Sequence, residues 1–352
     1  MSLQKVFMKG NEALAEAAII AGCRYFFGYP ITPQNEVPAY MARRLPEVGG
    51  TFLQAESELA AINMVFGAAA AGARAMTSSS SPGISLKQEG ISYLSAAELP
   101  AVVVNMMRGG PGLGNILGSQ ADFFQAVKGG GHGDYHNIVL APASVQELAE
   151  LTVLAFDLAD IYRMVVMILG DGYLGQMSEA LVLPKPSNLK IDKSGWALTG
   201  AKGREHHIIR SLLLSPEDEL EKLNLRLQEK YRLIKEKEVR FESYQIEDAE
   251  FVLVGFGMVA RLLKAASNIL RKEGCACGVF RPITLWPFPQ QALRQVASQA
   301  RGVLVVEMNA GQMLEDVRLA VGGEVMVDFL GRMGGMVPAI DSIVERVKEL
   351  CR

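Results

Sequence analysis

Two carboxylates, Glu56 and Glu58, flank Ser57 where a short apolar stretch ending near Leu53 gives way to a run from Leu59 to Gly72 rich in Ala, Ile, Met and Gly. That composition predicts a closely packed helix. Ser57 suits its N-cap and places Glu58 in or near the first turn, where the positive end of the helix favours an anion. Acidic first turns often do no more than this. A carboxylate facing an Ala/Gly surface that another chain covers is partly desolvated, however, and can hold or share a proton near neutral pH. The pattern leaves both readings open. Thr32 lies in Tyr29-Pro30-Ile31-Thr32-Pro33 after a predicted strand over Arg24 to Gly28. The two prolines hold that turn extended, at the strand end where open α/β sheets bind ligands. Thr32 equally suits a cap for a helix beginning near Gln34. Arg108 follows an apolar strand, Pro100 to Met107, and opens into Gly109-Gly110-Pro111-Gly112-Leu113-Gly114. An arginine at the mouth of such a loop can meet a carboxylate or phosphate at two points.

The elements that must position these residues alternate in type. A helix is predicted over Asn11 to Cys23, strands over Ala73 to Thr77, Asn137 to Ala141 and Arg163 to Leu169, and a helix over Ser144 to Asp160. Ser78 to Gly83 reads as a polar loop. Near-continuous apolar strands separated by helices predict an α/β fold, a parallel sheet with helices on both faces. The chain has 352 residues, more than one core usually serves, so two domains and a connector are expected. The first spans 1–175. Residues 176–246 form a linker containing a charged helical stretch, Pro216 to Phe241, with a leucine stripe. A second α/β unit spans 247–352, with strands at Glu250 to Gly255, Cys277 to Arg281, Gly302 to Glu307 and Glu324 to Phe329. Hydrophobic residues make up 49% and charged residues 21%, a composition that excludes general disorder. The net charge of −3 gives no basic footprint for nucleic acid or an anionic membrane. The longest apolar run, Leu59 to Ala73, is interrupted by Asn63 and is shorter than the ~20 residues of a spanning helix. Lys5 and Lys9 are followed by Asn11, Glu12 and Glu16 rather than an apolar leader. A cytoplasmic protein acting on small metabolites with protein partners is expected.

Several motifs point elsewhere. Gly255-Phe256-Gly257-Met258-Val259-Ala260 fits a dinucleotide fingerprint between strand and helix. The acidic residue expected after the next strand is missing, because that strand runs Val279-Phe280-Arg281-Pro282, so a tight turn without cofactor is the favoured reading. Binding of NAD, or a non-catalytic scaffold, is the alternative class. Gly170-Asp171-Gly172 opens like a magnesium–diphosphate motif, but the closing Asn pair is absent, and a hard cation bridging phosphates needs several oxygen ligands. The four cysteines, Cys23, Cys275, Cys277 and Cys351, are too scattered for a disulfide framework or an iron–sulfur cluster. The four histidines show no metal-ligand spacing.

Tyr29-Pro30-Ile31-Thr32-Pro33, Ala55-Glu56-Ser57-Glu58 followed nine residues later by Gly67, Asn105-Met106-Met107-Arg108-Gly109-Gly110-Pro111, Arg281-Pro282-Ile283 and Glu307-Met308-Asn309 carry a resemblance over nearly the whole chain. In this order they resemble the alpha subunit of 2-oxoacid:ferredoxin oxidoreductases. The resemblance implies a pyrimidine-binding domain of a thiamine diphosphate enzyme, followed by a domain similar to the transketolase C-terminal domain. It implies that Glu58 contacts the pyrimidine nitrogen para to the amino group, that Thr32 lies by cofactor and substrate, and that Arg108 binds the substrate carboxylate. Diphosphate, magnesium and an iron–sulfur cluster would sit on partner chains. The expected partners are a beta subunit, gamma and ferredoxin-like delta subunits, ferredoxin and coenzyme A. The loop Gly112 to Gln120 and the stretch Lys128 to Gly133 resemble the 2-oxoisovalerate, branched-chain type more than the 2-oxoglutarate type. No second basic residue stands beside Arg108 for a distal carboxylate.

Overall fold

The computed structural model describes residues 4–213, 218–323 and 325–351. Pro216 and Glu217 of the expected charged helix, and Glu324 of an expected strand, lie outside the described residues. The first part runs β1 (Lys5–Lys9), α1 (Gly10–Ile20), β2 (Tyr25–Gly28), α2 (Glu36–Arg44), β3 (Thr51–Gln54), α3 (Glu58–Ala70), β4 (Ala75–Ser79) and α4 (Ser81–Ala96). It continues with β5 (Ala101–Met107), α5 (Phe123–Val127), β6 (Ile138–Leu140), α6 (Val145–Tyr162), β7 (Val165–Asp171), α7 (Gly172–Gln176) and β8 (Ser178–Val182). Helix α8 (Glu219–Lys237) and β9 (Phe241–Tyr244) lead to β10 (Phe251–Val254), α9 (Val259–Lys272), β11 (Cys277–Pro282), β12 (Thr284–Trp286) and α10 (Gln290–Ala297). The chain ends with β13 (Gly302–Glu307), α11 (Gln312–Val321), β14 (Met326–Gly331) and α12 (Ile340–Leu350).

A seven-stranded sheet has the order β12-β6-β7-β5-β4-β2-β3. Every pair in it is parallel except β12 with β6. Val102, Val103, Val104, Val165, Val166 and Ile168 of its central strands are wholly buried, as expected of parallel strands covered on both faces. A second sheet, β14-β13-β10-β11-β9, is parallel apart from β9. No helix among the described residues is long and apolar enough to cross a membrane.

Three features differ from the sequence reading. The serine run is not a loop: β4 extends through Ser79 and α4 begins at Ser81, leaving only Ser80 as connector. Tertiary partners take up the two ends of the segment, since Ser78 donates to Gln34 Oε1 and the Ser81 amide donates to Asn105 Oδ1. The stretch 176–246 also holds strands at both ends, β8 paired with β1 and β9 in the second sheet. Between them, α8 buries Leu223, Leu227, Tyr231 and Ile234. Finally, three scattered cysteines converge, with Cys275 Sγ lying 3.5 Å from Cys277 Sγ and 3.3 Å from Cys351 Sγ. Sequence separation hid this because the end of α12 returns beside β11.

The two sheets are locked by polar contacts at the β13–α11 corner. Gln120 donates to the Phe256 carbonyl at 2.8 Å, accepts from the Met308 amide at 3.1 Å, and its carbonyl accepts from the Asn309 amide group at 2.8 Å. Arg281 forms a two-point pair with Glu147 of α6, both contacts at 2.8 Å. At the same corner, Glu307 is wholly buried and accepts from the Met313 and Leu314 amides and from Asn309. Burial raises its pKa from 4.5 to about 7, against those hydrogen bonds, which lower it. A carboxyl whose pKa rises on folding holds its proton more tightly in the native state. Its contribution is therefore fully present below pH 4.5 and is lost as pH rises to about 7. The loss expected is about 3 kcal/mol. Glu307→Gln should flatten this part of the pH dependence in denaturant titrations, and an unchanged slope would contradict the assignment.

Candidate active site

Four neighbouring strands, β3, β2, β4 and β5, deliver their carboxyl ends to one edge of the large sheet, and each is followed by one of the chemically capable segments. Strand β2 leads to Thr32, β3 to Glu58, β4 to the start of α4, and β5 to Arg108. Ser57 caps α3, its hydroxyl accepting from the Ala60 amide at 3.2 Å. Glu58 is thus the first helical residue and is 6% exposed. Glu56, two residues earlier, is outside the helix and exposed. The Glu58 side chain lies against Gly83 in the first turn of α4: a Cβ there would fall 2.6 Å from Glu58 Oε1 and 2.1 Å from Ser79 Oγ. Its carboxylate accepts no hydrogen bond from the described residues.

Arg108 is 8% exposed. Its guanidinium donates to the Thr32 carbonyl at 3.0 Å and to the Leu113 carbonyl at 2.9 Å, so it clips the Pro-rich turn to the glycine-rich loop. Among the described residues its Nε has no partner and no carboxylate pairs with it. A buried cation left without an anion is a ready receptor for one. The Thr32 hydroxyl accepts from Asn35 Nδ2 at 3.3 Å, a local contact at the entry to α2. Ser81 donates to Asp122, which also accepts from Asn105 at 2.9 Å, while the Arg108 amide donates to Ser81 Oγ at 3.0 Å. Burial raises the Asp122 carboxyl, with both hydrogen bonds opposing.

Two groups at this edge escaped the sequence reading. Lys87 of α4 is wholly buried and donates to the Glu58 carbonyl at 3.3 Å. The hydroxyls of Thr77, Ser79 and Ser80 are buried without partners among the described residues. The available signal was helical spacing, since Gly83 and Lys87 are four apart and share a face. Reading Ser78 to Gly83 as a loop concealed it.

The two decoy motifs close on each other. Gly257 has φ +57°, and a Cβ there would lie 3.0 Å from Gln120 Nε2 and 3.3 Å from Asp171 Oδ2. Asp171 accepts from the Leu174 amide at 2.9 Å and from the Met258 amide at 3.1 Å. One carboxylate thus occupies the place beside α9 that a pyrophosphate would need.

Residues 16–242 match the family described as pyruvate flavodoxin/ferredoxin oxidoreductase, thiamine diphosphate-binding. Residues 249–343 match pyruvate:ferredoxin oxidoreductase core domain II. The chain belongs to the 2-oxoacid:ferredoxin oxidoreductase family. It is similar to ketoisovalerate oxidoreductase subunit VorB of Methanothermobacter marburgensis, with 51% identity over 343 residues, covering 97% of this chain and 97% of that one. To 2-oxoglutarate synthase subunit KorA of the same organism the identity is 36% over 370 residues, covering 98% of each. Among solved structures it is similar to the 2-oxoglutarate:ferredoxin oxidoreductase from Magnetococcus marinus with 2-oxoglutarate, coenzyme A and succinyl-CoA bound. That match has a TM-score of 0.89 at 30% identity and covers 99% of this chain and 65% of the other, so this chain spans about two thirds of that chain's length.

Within this family member, Gly83 is the residue on which the placing of Glu58 turns. Alanine is otherwise favourable in a helix, so Gly83→Ala tests the contact rather than the helix. The added methyl group should displace both the Ser79 hydroxyl and the Glu58 carboxylate, costing about 1–3 kcal/mol of stability and at least about tenfold in turnover of the assembled enzyme. Wild-type turnover in this variant would show that the Glu58–Gly83 contact has no role.

Proposed function

We propose that this chain is the pyrimidine-binding subunit of a thiamine-diphosphate-dependent, coenzyme-A-acylating oxidative decarboxylase of 2-oxoisovalerate or related branched-chain 2-oxoacids, with ferredoxin as electron acceptor. The observation that carries this reading is the pairing, at one sheet edge of a family member, of a buried carboxylate without a hydrogen bond and a buried guanidinium without an anion. The residues fit the cofactor. Glu58 offers a carboxylate without a hydrogen bond in a shielded place, and the hydroxyls of Thr77, Ser79 and Ser80 behind it are buried and unpartnered among the described residues.

Thiamine diphosphate, when bound, supplies the electron sink that lets a 2-oxoacid lose carbon dioxide. Glu58 holds a proton at the pyrimidine nitrogen para to the amino group, and its burial keeps water from competing for that proton. Arg108 binds the substrate carboxylate, using the donor capacity left over from its two carbonyl contacts. Thr32, held at the same guanidinium by its carbonyl, lies beside cofactor and substrate. In this reading residues 1–175 form the pyrimidine-binding unit, 247–352 the transketolase C-terminal-like unit, and 176–246 the connector.

The diphosphate, magnesium and iron–sulfur cluster are assigned to a beta subunit, with gamma and ferredoxin-like delta subunits completing a cytoplasmic complex. Engagement of both Asp171 oxygens in capping supports that division of labour. The higher identity to the ketoisovalerate enzyme than to the 2-oxoglutarate enzyme of the same organism supports a branched-chain substrate.

A carboxylate that only complements the helix end is worth about 0.3–1 kcal/mol. Glu58→Gln should therefore leave folding and assembly nearly intact while activity falls roughly 10²–10⁴-fold, the scale of general acid–base catalysis. Glu56→Gln should be far milder, and equal effects of the two would overturn the assignment. In a panel of 2-oxoacids, the assembled enzyme should show its highest kcat/KM with branched monocarboxylates. Arg108→Ala should lower that value chiefly through KM, by a loss on the order of 2–5 kcal/mol. An unchanged KM would remove Arg108 from substrate binding.

A further inference from the structure

Helices α3 and α4 meet along Gly83, Lys87 and Gly90, whose spacing of four and three puts them on one face. Gly83 lies against Glu58. A Cβ at Gly90 would fall 2.5 Å from the Ile62 side chain, one turn further along α3. Between these two close approaches stands Lys87, with no exposed surface. Its amino group makes one hydrogen bond, to the Glu58 carbonyl, and Glu58 is the charged group that acts on it. Burial pulls the lysine down to about 8, and the Glu58 charge opposes that shift.

An amine is costly in such a place, and an apolar chain of the same length would fill the space without that cost. Packing therefore explains the volume at position 87 but not the nitrogen. What the nitrogen touches is the backbone of the residue whose carboxylate lies against Gly83 without a hydrogen bond. We propose that Lys87 is a positioning residue for Glu58, its amino group anchoring the first turn of α3 so that the carboxylate is held toward the cofactor ring. The inference rests on the reading of Glu58 given above. Lys87 itself stays behind Glu58, and its effect passes through that residue.

The test uses the assembled complex and thiamine diphosphate as the probe. Lys87→Met keeps length and removes the amine. Its melting temperature should equal or exceed that of the wild type, while the Kd for thiamine diphosphate, from calorimetric titration, weakens about tenfold and kcat falls about tenfold. Because Lys87 acts through Glu58, adding Lys87→Met to Glu58→Gln should change Kd less than about twofold further. Lys87→Gln, which keeps a donor, should recover part of the loss. A Kd unmoved by Lys87→Met, or equal losses in the wild-type and Glu58→Gln backgrounds, overturns the proposal. So does a fall in melting temperature that accounts for the lost activity, or failure of both Lys87 variants to assemble, since either assigns Lys87 to the fold. If instead Glu58→Gln alone leaves both Kd and kcat unchanged, it is the reading of Glu58 that has failed.

Discussion

A carboxylate buried at the first turn of one helix, against the backbone of a second, is the constraint from which the arrangement of this protein follows. Glu58 can be shielded from water only if α3 and α4 approach within contact of their backbones. Gly83 and Gly90 supply that approach, because a Cβ at either position would overlap Glu58 or Ile62. The alanine-rich composition of α3 serves the same end. Ser57 then fixes where the helix begins, which decides that Glu58 turns inward while Glu56 stays in solvent.

Arg108 imposes the complementary constraint from the neighbouring strand. Its guanidinium gathers two backbone carbonyls, Thr32 on one side and Leu113 on the other, and so sets the spacing between the Pro-rich turn and the glycine-rich loop. Parallel pairing makes this possible, since all connections that leave the carboxyl ends emerge at one edge. Positive and negative buried groups thus come to the same edge from β5 and β3 without pairing with each other.

The second α/β unit braces that edge. Gln120, immediately beyond the glycine-rich loop, is held by Phe256, Met308 and Asn309, while Asp171 reaches the start of α9. Strand β12 goes further and joins the first sheet beside β6, where Trp286 stacks on His136 with ring centroids 4.6 Å apart. Groups that in isolation look like nucleotide or metal ligands are consumed by this docking.

The amino-acid sequence by itself determined the alternation of apolar strands and helices, the parallel sheet, the cap at Ser57, and the delivery of Thr32, Glu58 and Arg108 to strand ends. These are local matters of periodicity and turn chemistry, and the structure displays the expected strands within two residues of their bounds, whereas α1 stops at Ile20 rather than Cys23 and α8 at Lys237 rather than Phe241. Only the tertiary structure decided which polar groups would be buried and by what. Ser78 and Ser79 read as loop because serine prefers turns when its hydroxyl has no better partner, yet strand pairing and Gln34 draw them into the sheet. Lys87 goes unmarked in the sequence because nothing local identifies its face of α4 as the one pressed on α3. Strands β1, β9 and β12 were invisible for the same reason: short segments become strands through partners far away in the chain. Contact between distant residues carries no periodic signal, so burial, ion pairing and the meeting of Glu58 with Lys87 had to wait for the fold.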